Sequence, residues 1–330
     1  MIYGRVPGID KPVSRIVQGL VMVREDNLDS IFPLLDAVFE TGVNTFDTAH
    51  LYAGGQSERG FAAWVRDRGL RDRVVLLDKG AHHNAERRRV TPEDITSDLT
   101  ESLERLEFDF IDLYVLHRDD PDVPVGPIVE VLNEHLKAGR IHAFGGSNWT
   151  IERLAEANAY ARAHDLSPFV VSSPNYNLAE MVQEPWPNCV SIGGPAAAES
   201  RKWYEQSQMA VFSWSTLAGG FLTGRYTREN IETSEDRGAE LARKCYACED
   251  NFRRLDRLTR LAEARGVSLP QAAIAYVLCQ PMNTFPLVAA WAPEEARANA
   301  RSADARLSPE EMAWCDLRTD EPPSGLENAV

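Results

Sequence analysis

The feature that most constrains the fold is an alternation of short apolar segments with amphipathic helical patterns along most of the chain. The apolar segments are rich in β-branched residues and have the length of buried strands. Alternating strands and helices predict a parallel sheet with right-handed crossovers, and eight such units favour a closed (β/α)8 TIM barrel over an open sheet. The eight candidate strands are Ser14–Leu20, Val43–Thr48, Val74–Lys79, Ile111–His117, Ile141–Ser147, Phe169–Ser173, Ala210–Ser215 and Thr284–Ala289.

Most gaps between these segments carry a helix signal. Apolar residues recur at helical spacing over Asp26–Glu40. Thr91, followed by Pro92 and two acidic residues, is typical of a helix N-terminus. Further helices are predicted over Pro127–Ala138, Ile151–His164 and Ser308–Leu317.

No shift in composition marks a domain boundary, and α/β barrels reach 330 residues as one unit, so residues 1–330 are predicted to form a single domain. Two polar segments, Leu217–Asp250 and Glu180–Pro195, predict long loops over the C-terminal face of the barrel.

The net charge and the sequence motifs argue against nucleic-acid binding, membrane insertion and metal binding. A formal net charge of −15 repels polyphosphate backbones and argues against nucleic-acid binding. No apolar stretch approaches the roughly 20 residues of a membrane span, and the chain opens without a signal core, so a cytoplasmic location is expected. The 5 cysteines and the histidines lack disulfide or metal spacing, so no metal is expected. The oligomeric state stays open.

Polar residues interrupt the apolar segments where the strands are predicted to end. Asp47, Lys79 and His117 close three successive candidate strands. Each has a plain structural alternative: a turn cap, a surface lysine and a core histidine, respectively. Together they indicate a site, because the C-terminal strand ends of a barrel meet at its mouth and charges are rarely placed there without use.

Several motifs in this chain resemble the aldo-keto reductase superfamily. They are Gly42–Tyr52 (GVNTFDTAHLY), Asp112–His117 (DLYVLH), Phe144–Asn148 (FGGSN) and Trp214–Gly224 (WSTLAGGFLTG). The resemblance runs from about Ser14 to about Leu317. It implies an oxidoreductase that transfers hydride between a nicotinamide cofactor and a carbonyl or alcohol carbon.

The resemblance also assigns a catalytic tetrad of Asp47, Tyr52, Lys79 and His117. Hydride transfer to a carbonyl leaves an alkoxide that needs a proton, and a tyrosine with a pKa of about 10 donates poorly near neutrality. An adjacent lysine ammonium is expected to lower that pKa, with the aspartate keeping the lysine charged. The histidine is expected to hydrogen-bond the substrate oxygen.

By the same resemblance, Ser147 and Asn148 hold the nicotinamide carboxamide and Trp214 stacks on the ring. Trp214 could equally be a core aromatic residue, and Asn299, assigned to the adenine, an ordinary helix-surface residue. The full set of expected cofactor residues is Ser147, Asn148, Ser173, Trp214, Ser215, Leu217, Ala289, Ala290, Trp291, Glu295 and Asn299.

Two departures from the family pattern concern the cofactor. Ser173 stands where family members commonly have Gln, so one carboxamide contact is expected to be shortened or mediated by water. Glu295 falls where an arginine would grip the 2′-phosphate of NADPH, and a carboxylate there repels phosphate and can bind a free ribose diol. The expected cofactor is NAD(P)H, with NADH preferred, unless the nearby Arg297 rescues phosphate binding.

His50 and Arg118 are candidate substrate residues, although His50 is also consistent with an exposed loop residue and Arg118 with a solvated one. Polar residues at the predicted mouth favour a polar small-molecule substrate, such as a sugar or sugar-derived ketone. Two alternatives remain: a redox-neutral epimerase or isomerase with retained NAD, and a non-catalytic regulatory barrel subunit.

Overall fold

In the computed structural model, which describes residues 1–326, eight parallel strands close into a barrel and helices surround it. A short antiparallel hairpin precedes the barrel. The hairpin strands are β1 (Tyr3–Gly4) and β2 (Val13–Ser14), and the barrel strands are β3 (Val17–Gly19), β4 (Thr45–Asp47), β5 (Val75–Gly80), β6 (Ile111–Leu116), β7 (Ile141–Ser147), β8 (Val171–Ser173), β9 (Ala210–Ser213) and β10 (Thr284–Val288).

The predicted (β/α)8 barrel is therefore confirmed. The strands follow chain order around the barrel, and β10 closes it by pairing with β3. Long segments after β8 and β9 pass over the C-terminal face, as the two polar segments predict. That residues 1–330 form one domain stays a prediction.

The barrel interior is filled by apolar side chains from alternate strand positions. Val17 of β3, Val75 and Leu77 of β5, and Phe212 of β9 belong to one buried cluster. Val13 of the hairpin belongs to the same cluster, so the hairpin covers the N-terminal end of the barrel. The hairpin leaves the C-terminal end of the barrel uncovered.

The surrounding helices begin mostly where the sequence predicts. Thr91 Oγ1 accepts a hydrogen bond from the backbone N–H of Asp94, and Ser308 and Glu311 form a capping box. The helices are α1 (Leu28–Glu40), α2 (Gln56–Arg68), α3 (Pro92–Leu106), α4 (Val125–Lys137), α5 (Ile151–Ala163), α6 (Ala198–Ser207), α7 (Arg237–Tyr246), α8 (Glu249–Arg265), α9 (Leu269–Leu278), α10 (Pro293–Arg301) and α11 (Pro309–Cys315).

Two details of the predicted elements are wrong. The segment Leu217–Asp250 is not loop throughout, because it contains α7, whose N-terminus is capped by the carboxylate of Asp236. The first candidate strand is split, because Ser14 pairs with Tyr3 in the hairpin before the barrel strand starts at Val17.

Across the described part of the chain, residues 1–326, no helix combines the length and the apolar character needed to cross a membrane.

Candidate active site

Three neighbouring strands bring Asp47, Lys79 and His117 to the C-terminal end of the barrel. Asp47 is the last residue of β4, Lys79 is the penultimate residue of β5, and His117 directly follows β6. β5 pairs in parallel with β4 on one side and with β6 on the other. The three side chains therefore share the end of the barrel at which such folds carry their active sites.

Asp47 holds the ammonium group of Lys79. Lys79 Nζ lies 2.5 Å from Asp47 Oδ1 and donates a hydrogen bond to the carbonyl oxygen of Thr48 at 2.7 Å. Burial lowers the pKa of Lys79, but the negative charge of Asp47 and the hydrogen bond to its carboxylate raise it, and the pKa lies above its ordinary value. Burial also disfavours the charged form of Asp47 and raises its pKa, although the positive charge of Lys79 lowers it in part. Lys79 is therefore charged at neutral pH.

Tyr52 reaches the same place from a tight left-handed turn after β4. The short 3-10 segment Tyr52–Gly55 has positive φ angles of 51°, 62° and 86° at Ala53, Gly54 and Gly55. Glycine adopts this region without steric cost, and a Cβ on Gly55 would lie 2.6 Å from Nε of Arg105. The turn places the Tyr52 ring centroid 5.2 Å from Lys79 Nζ.

The direction of the Tyr52 pKa shift differs from the sequence-based expectation. Lys79 lowers this pKa as expected, but burial raises it by more, and Asp47 adds to the rise. The pKa of Tyr52 therefore lies above its ordinary value of about 10. The expected effect of the lysine is present, but the net shift is upward because the sequence does not show the depth at which the phenol is buried.

His117 is a neutral imidazole beside Tyr52. Its ring lies edge-on to the Tyr52 ring, with centroids 5.9 Å apart. Burial lowers the pKa of His117 well below its usual range, and the charge of Lys79 lowers it further. Within residues 1–326 its Nδ1 has no hydrogen-bond partner. A neutral imidazole has one N–H to donate and carries no charge that would compete with Lys79.

The expected carboxamide residues form a small polar network between β7 and β8. Ser147 Oγ donates to the carbonyl oxygen of Ser173 at 2.9 Å and accepts from Asn148 Nδ2 at 3.2 Å. Asn148 Oδ1 accepts from the backbone N–H of Val190 at 3.2 Å. The hydroxyl of Ser173 is buried and has no partner among the residues described. The structure thus brings Ser147, Asn148 and Ser173 together.

Trp214 follows β9 directly, and its indole stacks on that of Trp186 with ring centroids 5.7 Å apart and planes 23° apart. Trp214 Nε1 is buried and finds no acceptor in residues 1–326. Ser215 has a φ of 56°, and its carbonyl oxygen accepts a hydrogen bond from Asn177 Nδ2 at 3.1 Å. Leu217 is half-buried against the main apolar core. The indole of Trp214 is half-buried at the barrel mouth, so it is not a core side chain.

The chain after β10 presents few polar side chains. Ala289 is half-buried and Ala290 is buried, with the Ala290 N–H donating to Gln18 Oε1 at 3.3 Å. Trp291 is 67% exposed. These residues would meet a cofactor through backbone groups and an indole face.

Glu295 lies in the first turn of α10, and its carboxylate reaches back to the residue before the N-cap Ala292. Its Oε2 accepts a hydrogen bond from the Trp291 N–H at 2.8 Å, which fixes one carboxylate oxygen. Arg297 lies two residues further along the helix, half-exposed, with Nη1 at 4.0 Å from Glu294 Oε1. Asn299 is half-buried on the same helix. The Glu295 carboxylate therefore lies near the end of β10 and is partly engaged by the protein itself.

The two candidate substrate residues differ in placement. The imidazole of His50 is directed to α3 in the outer helical layer, because its Nε2 lies 2.8 Å from Glu101 Oε2. Arg118 is buried directly after His117, with its Nε at 3.4 Å from His82 Nε2. His82 in turn packs edge-on to His117, with ring centroids 5.0 Å apart. The Arg118 side chain is therefore close to the tetrad, whereas the His50 backbone adjoins Lys79 but its imidazole is engaged by Glu101.

Comparison with known proteins assigns the chain to a family. Residues 15–317 match the model described as the aldo/keto reductase family. The chain belongs to the aldo/keto reductase family. It is an NAD(P)-dependent oxidoreductase, as the family is.

Relatives of this aldo-keto reductase carry diverse names. "Aldo-keto reductase YhdN" of Bacillus subtilis is 30% identical over 300 residues, which cover 89% of this chain and 82% of the relative. A "Probable voltage-gated potassium channel subunit beta" of Oryza sativa is 29% identical over 278 residues, which cover 82% of this chain and 81% of the relative.

Solved structures share the fold of this aldo-keto reductase. The glycerol dehydrogenase AKR11B4 of Gluconobacter oxydans superposes with a TM-score of 0.75 at 22% identity, covering 97% of both chains. An aldo-keto reductase of Klebsiella pneumoniae in complex with NADPH gives 0.72 at 24% identity, covering 98% of both chains. At these identities the likeness shows the (β/α)8 barrel.

Sequence reasoning missed three residues at the mouth of this aldo-keto reductase: His82, Trp186 and Cys189. Arg118 contacts all of them, with its Cζ 5.4 Å from the Trp186 ring centroid and its Nη1 3.9 Å from Cys189 Sγ. His82 could have been placed at the mouth from the sequence, because it lies three residues after Lys79 in the loop that follows β5. Trp186 and Cys189 lie in the predicted long loop Glu180–Pro195, where periodicity predicts no contacts.

A pair of buried carboxyl groups lies behind Lys79 in this aldo-keto reductase. Asp78 Oδ1 accepts a hydrogen bond from the Lys79 N–H at 2.8 Å, and Glu58 Oε2 accepts from Arg105 Nη1 at 2.8 Å. Asp78 Oδ2 and Glu58 Oε1 are both buried without another partner among residues 1–326. Burial raises the pKa of Asp78 well above its usual range, and the charge of Glu58 raises it further. We infer that Asp78 keeps a proton in the folded protein.

Asp78→Asn is expected to change how stability depends on pH. A carboxyl group whose pKa is raised by folding stabilises the protein most below its unfolded pKa, about 3.9, and this contribution is lost as the pH rises to the folded pKa. The wild type should lose up to about 1.4 kcal/mol per pH unit in that interval, and the asparagine variant should not. Urea unfolding at pH 5 and pH 8 measures the difference.

The exposed Asp72 provides the matched control. Asp72→Asn should keep the wild-type pH dependence of unfolding. Equal dependence in the wild type and in Asp78→Asn would show that Asp78 is ionised in the folded protein and would contradict the inferred proton.

Proposed function

We propose that this aldo-keto reductase transfers hydride between a nicotinamide cofactor and the carbonyl or alcohol carbon of a polar small molecule, with sugars and sugar-derived ketones as the leading class. The observation that carries the proposal is the arrangement at the barrel mouth. Lys79 Nζ lies between Asp47 and the ring of Tyr52, and the neutral His117 lies beside that ring. The buried guanidinium of Arg118 close by favours a polar substrate.

The residues that would hold the nicotinamide are Ser147, Asn148 and Ser173 for the carboxamide and Trp214 for the ring. Ser173 Oγ and Trp214 Nε1 support this, because both are buried polar atoms without a partner among residues 1–326 and buried polar atoms are normally bonded. When bound, the cofactor supplies the hydride.

The chain's own residues would handle the proton and the charge. Tyr52 Oη would donate a proton to the substrate oxygen in reduction and accept one in oxidation. The Lys79 ammonium, held by Asp47, would stabilise the phenolate left on Tyr52. The N–H of His117 would hydrogen-bond the substrate oxygen and orient the carbonyl.

Two measurements test the proposal. Titration with NADH and NADPH, followed by quenching of tryptophan fluorescence, should show saturable binding of at least one. Steady-state assays with a panel of sugars, sugar-derived ketones and the matching alcohols should then show net cofactor turnover. A folded protein that binds neither nucleotide would refute the proposal, whereas tightly retained cofactor without net turnover would favour an epimerase or isomerase.

We propose further that NADH binds at least as tightly as NADPH. The Glu295 carboxylate near the end of β10 repels a 2′-phosphate, and neither Ala289 nor Ala290 supplies a compensating charge. Glu295→Gln should strengthen NADPH binding by roughly three- to tenfold and leave NADH binding nearly unchanged, because the amide oxygen still caps the Trp291 N–H. Fluorescence titration of both variants with both nucleotides measures this.

Glu310, an exposed residue on α11, offers a control for the change in net charge. Glu310→Gln should leave both affinities unchanged. A wild type that binds NADPH ten times more tightly than NADH would contradict the proposed preference and assign the phosphate to a cation such as Arg297.

A second candidate function is that of a regulatory subunit. It is favoured by the similarity to proteins named as probable voltage-gated potassium channel β subunits in Oryza sativa and Arabidopsis thaliana. Complementation with Tyr52→Phe in cells that lack the protein separates the two functions. Full rescue would favour the regulatory function, and loss of rescue would favour the enzyme.

A further inference from the structure

Arg118 is a buried cation without a counter-ion. Its side chain follows the end of β6, and the residue is only 4% exposed. No carboxylate of residues 1–326 forms an ion pair with it, whereas arginine is rarely buried unless it is paired. Keeping an uncompensated charge in such a place costs stability, which points to a use in binding.

The groups that do contact Arg118 carry no negative charge. His82 Nδ1 lies 2.7 Å from the carbonyl oxygen of His83, which only accepts, so Nδ1 carries the hydrogen and Nε2 is a neutral acceptor for Arg118 Nε. Burial raises the pKa of the Cys189 thiol, which keeps the sulfur protonated at neutral pH. The third contact is the face of the Trp186 ring. None of these replaces a carboxylate.

The carboxylates nearest in sequence or along the same loops are already engaged. Asp119 Oδ2 lies 3.2 Å from Arg153 Nε, and Asp120 Oδ1 lies 2.8 Å from Arg88 Nη1. Glu184 Oε2 accepts a hydrogen bond from the Cys189 N–H at 3.1 Å. The protein therefore directs its own acids elsewhere and leaves the Arg118 guanidinium uncompensated.

The position of Arg118 relates this charge to the reacting carbonyl. Arg118 contacts His82, His82 packs against His117, and His117 packs against Tyr52. The other cation at the mouth, Lys79, is already paired with Asp47. An anionic group bound to Arg118 would thus be separated by the His82 ring from His117, which is proposed to orient the substrate oxygen.

We propose that Arg118 binds a carboxylate of the substrate, so that the enzyme acts on carbonyl compounds, or the matching alcohols, that carry a carboxylate a few atoms from the reacting carbon. The inference rests on the proposed function, because it assigns the substrate class of the same site. Acidic sugars and short aldehyde or keto acids belong to this class. Guanidinium binds carboxylate through charge-assisted, frequently bidentate hydrogen bonds, which reject neutral analogues.

The test compares 4-carboxybenzaldehyde with 4-nitrobenzaldehyde, which has the same shape but no charge. The quantity measured is the ratio of kcat/KM for the carboxy compound to that for the nitro compound. Arg118→Gln should lower this ratio by about tenfold or more, and Arg118→Lys by less, because the charge is kept and the bidentate geometry is lost. Comparing ratios between variants cancels the different intrinsic reactivities of the two aldehydes.

Arg88→Gln is the matched control. It also removes an arginine from a nearby loop, but Arg88 is partly exposed and is paired with Asp120. It should leave the ratio unchanged. An unchanged ratio in Arg118→Gln, measured on protein with a cooperative thermal transition, would overturn the proposal while leaving the oxidoreductase intact.

Binding provides a second readout that does not need turnover. Benzoate should change the tryptophan fluorescence of the wild type saturably, through Trp186, at concentrations at which the neutral analogue benzamide does not, and Arg118→Gln should abolish the difference. Equal effects in both proteins would refute the carboxylate site. Loss of nicotinamide binding with intact, Arg118-dependent benzoate binding would refute the proposed function instead.

Discussion

Tyr52→Phe is expected to lower kcat by about 10²–10⁴-fold while leaving nicotinamide binding within about twofold of the wild type. The change removes the hydroxyl that would pass the proton and keeps the ring that packs against His117 and lies over Lys79. Stopped-flow or steady-state assays measure the loss, and fluorescence titration measures cofactor affinity. The loss should appear in kcat and in kcat/KM together, because the proton is transferred in the transition state.

The raised pKa of Tyr52 also predicts how the reductive and oxidative rates depend on pH. Because the pKa of Tyr52 lies above its ordinary value, the phenol stays protonated at neutral and mildly alkaline pH. The reductive rate should therefore hold across that range, and the oxidative rate should rise with pH. Tyr3→Phe, which removes an exposed hydroxyl bonded to the carbonyl oxygen of Gly42, is the control and should change neither. A Tyr52→Phe enzyme with wild-type kcat would assign the proton to another group.

Lys79→Met is expected to abolish detectable turnover and to lower the free energy of unfolding by about 3–5 kcal/mol. Methionine fills similar space but leaves the buried Asp47 carboxylate without its partner. The unpaired Asp47 should take up a proton on folding, so the destabilisation should be smaller at pH 5 than at pH 8. Urea unfolding at the two pH values and steady-state assays measure these effects.

The double variant Lys79→Met/Asp47→Asn separates stability from catalysis. It removes both charges, so most of the lost stability should return, while turnover should not, because no ammonium faces Tyr52. Lys137→Met, at the end of α4, is an exposed control. It should leave turnover unchanged and alter the free energy of unfolding by no more than about 0.5 kcal/mol. If Lys79→Met alone were as stable as the wild type, the result would contradict a buried ion pair between Lys79 and Asp47.

The barrel could be predicted from sequence because its strands are buried on both sides and therefore apolar along their length. In such strands a polar residue at the end is conspicuous, which is why Asp47, Lys79 and His117 could be placed together. The prediction was weaker where the apolar pattern is faint. The buried residues of α7 are Ala239, Ala242, Cys245 and Tyr246, and the first three have small side chains that give little contrast within a polar segment.

Contacts between loops account for what the sequence did not predict. His82 and Trp186 come from different loops and both meet Arg118, a relation that no periodicity encodes. The engagement of His50 by Glu101 also depends on how α3 packs against the barrel. The raised pKa of Tyr52 depends on burial, which only the folded structure supplies.

The stacked pair Trp186 and Trp214 has a consequence for how the nucleotide and an acidic substrate affect each other's binding. Trp214 lies on the side proposed for the nicotinamide, and Trp186 belongs to the loop whose Cys189 contacts Arg118. A nucleotide that shifts Trp214 would also shift Trp186, and with it the surroundings of the guanidinium. Because such coupling is reciprocal, whatever the nucleotide does to acid binding, the acid must do equally to nucleotide binding. The two ligands would then bind cooperatively through a single pair of rings.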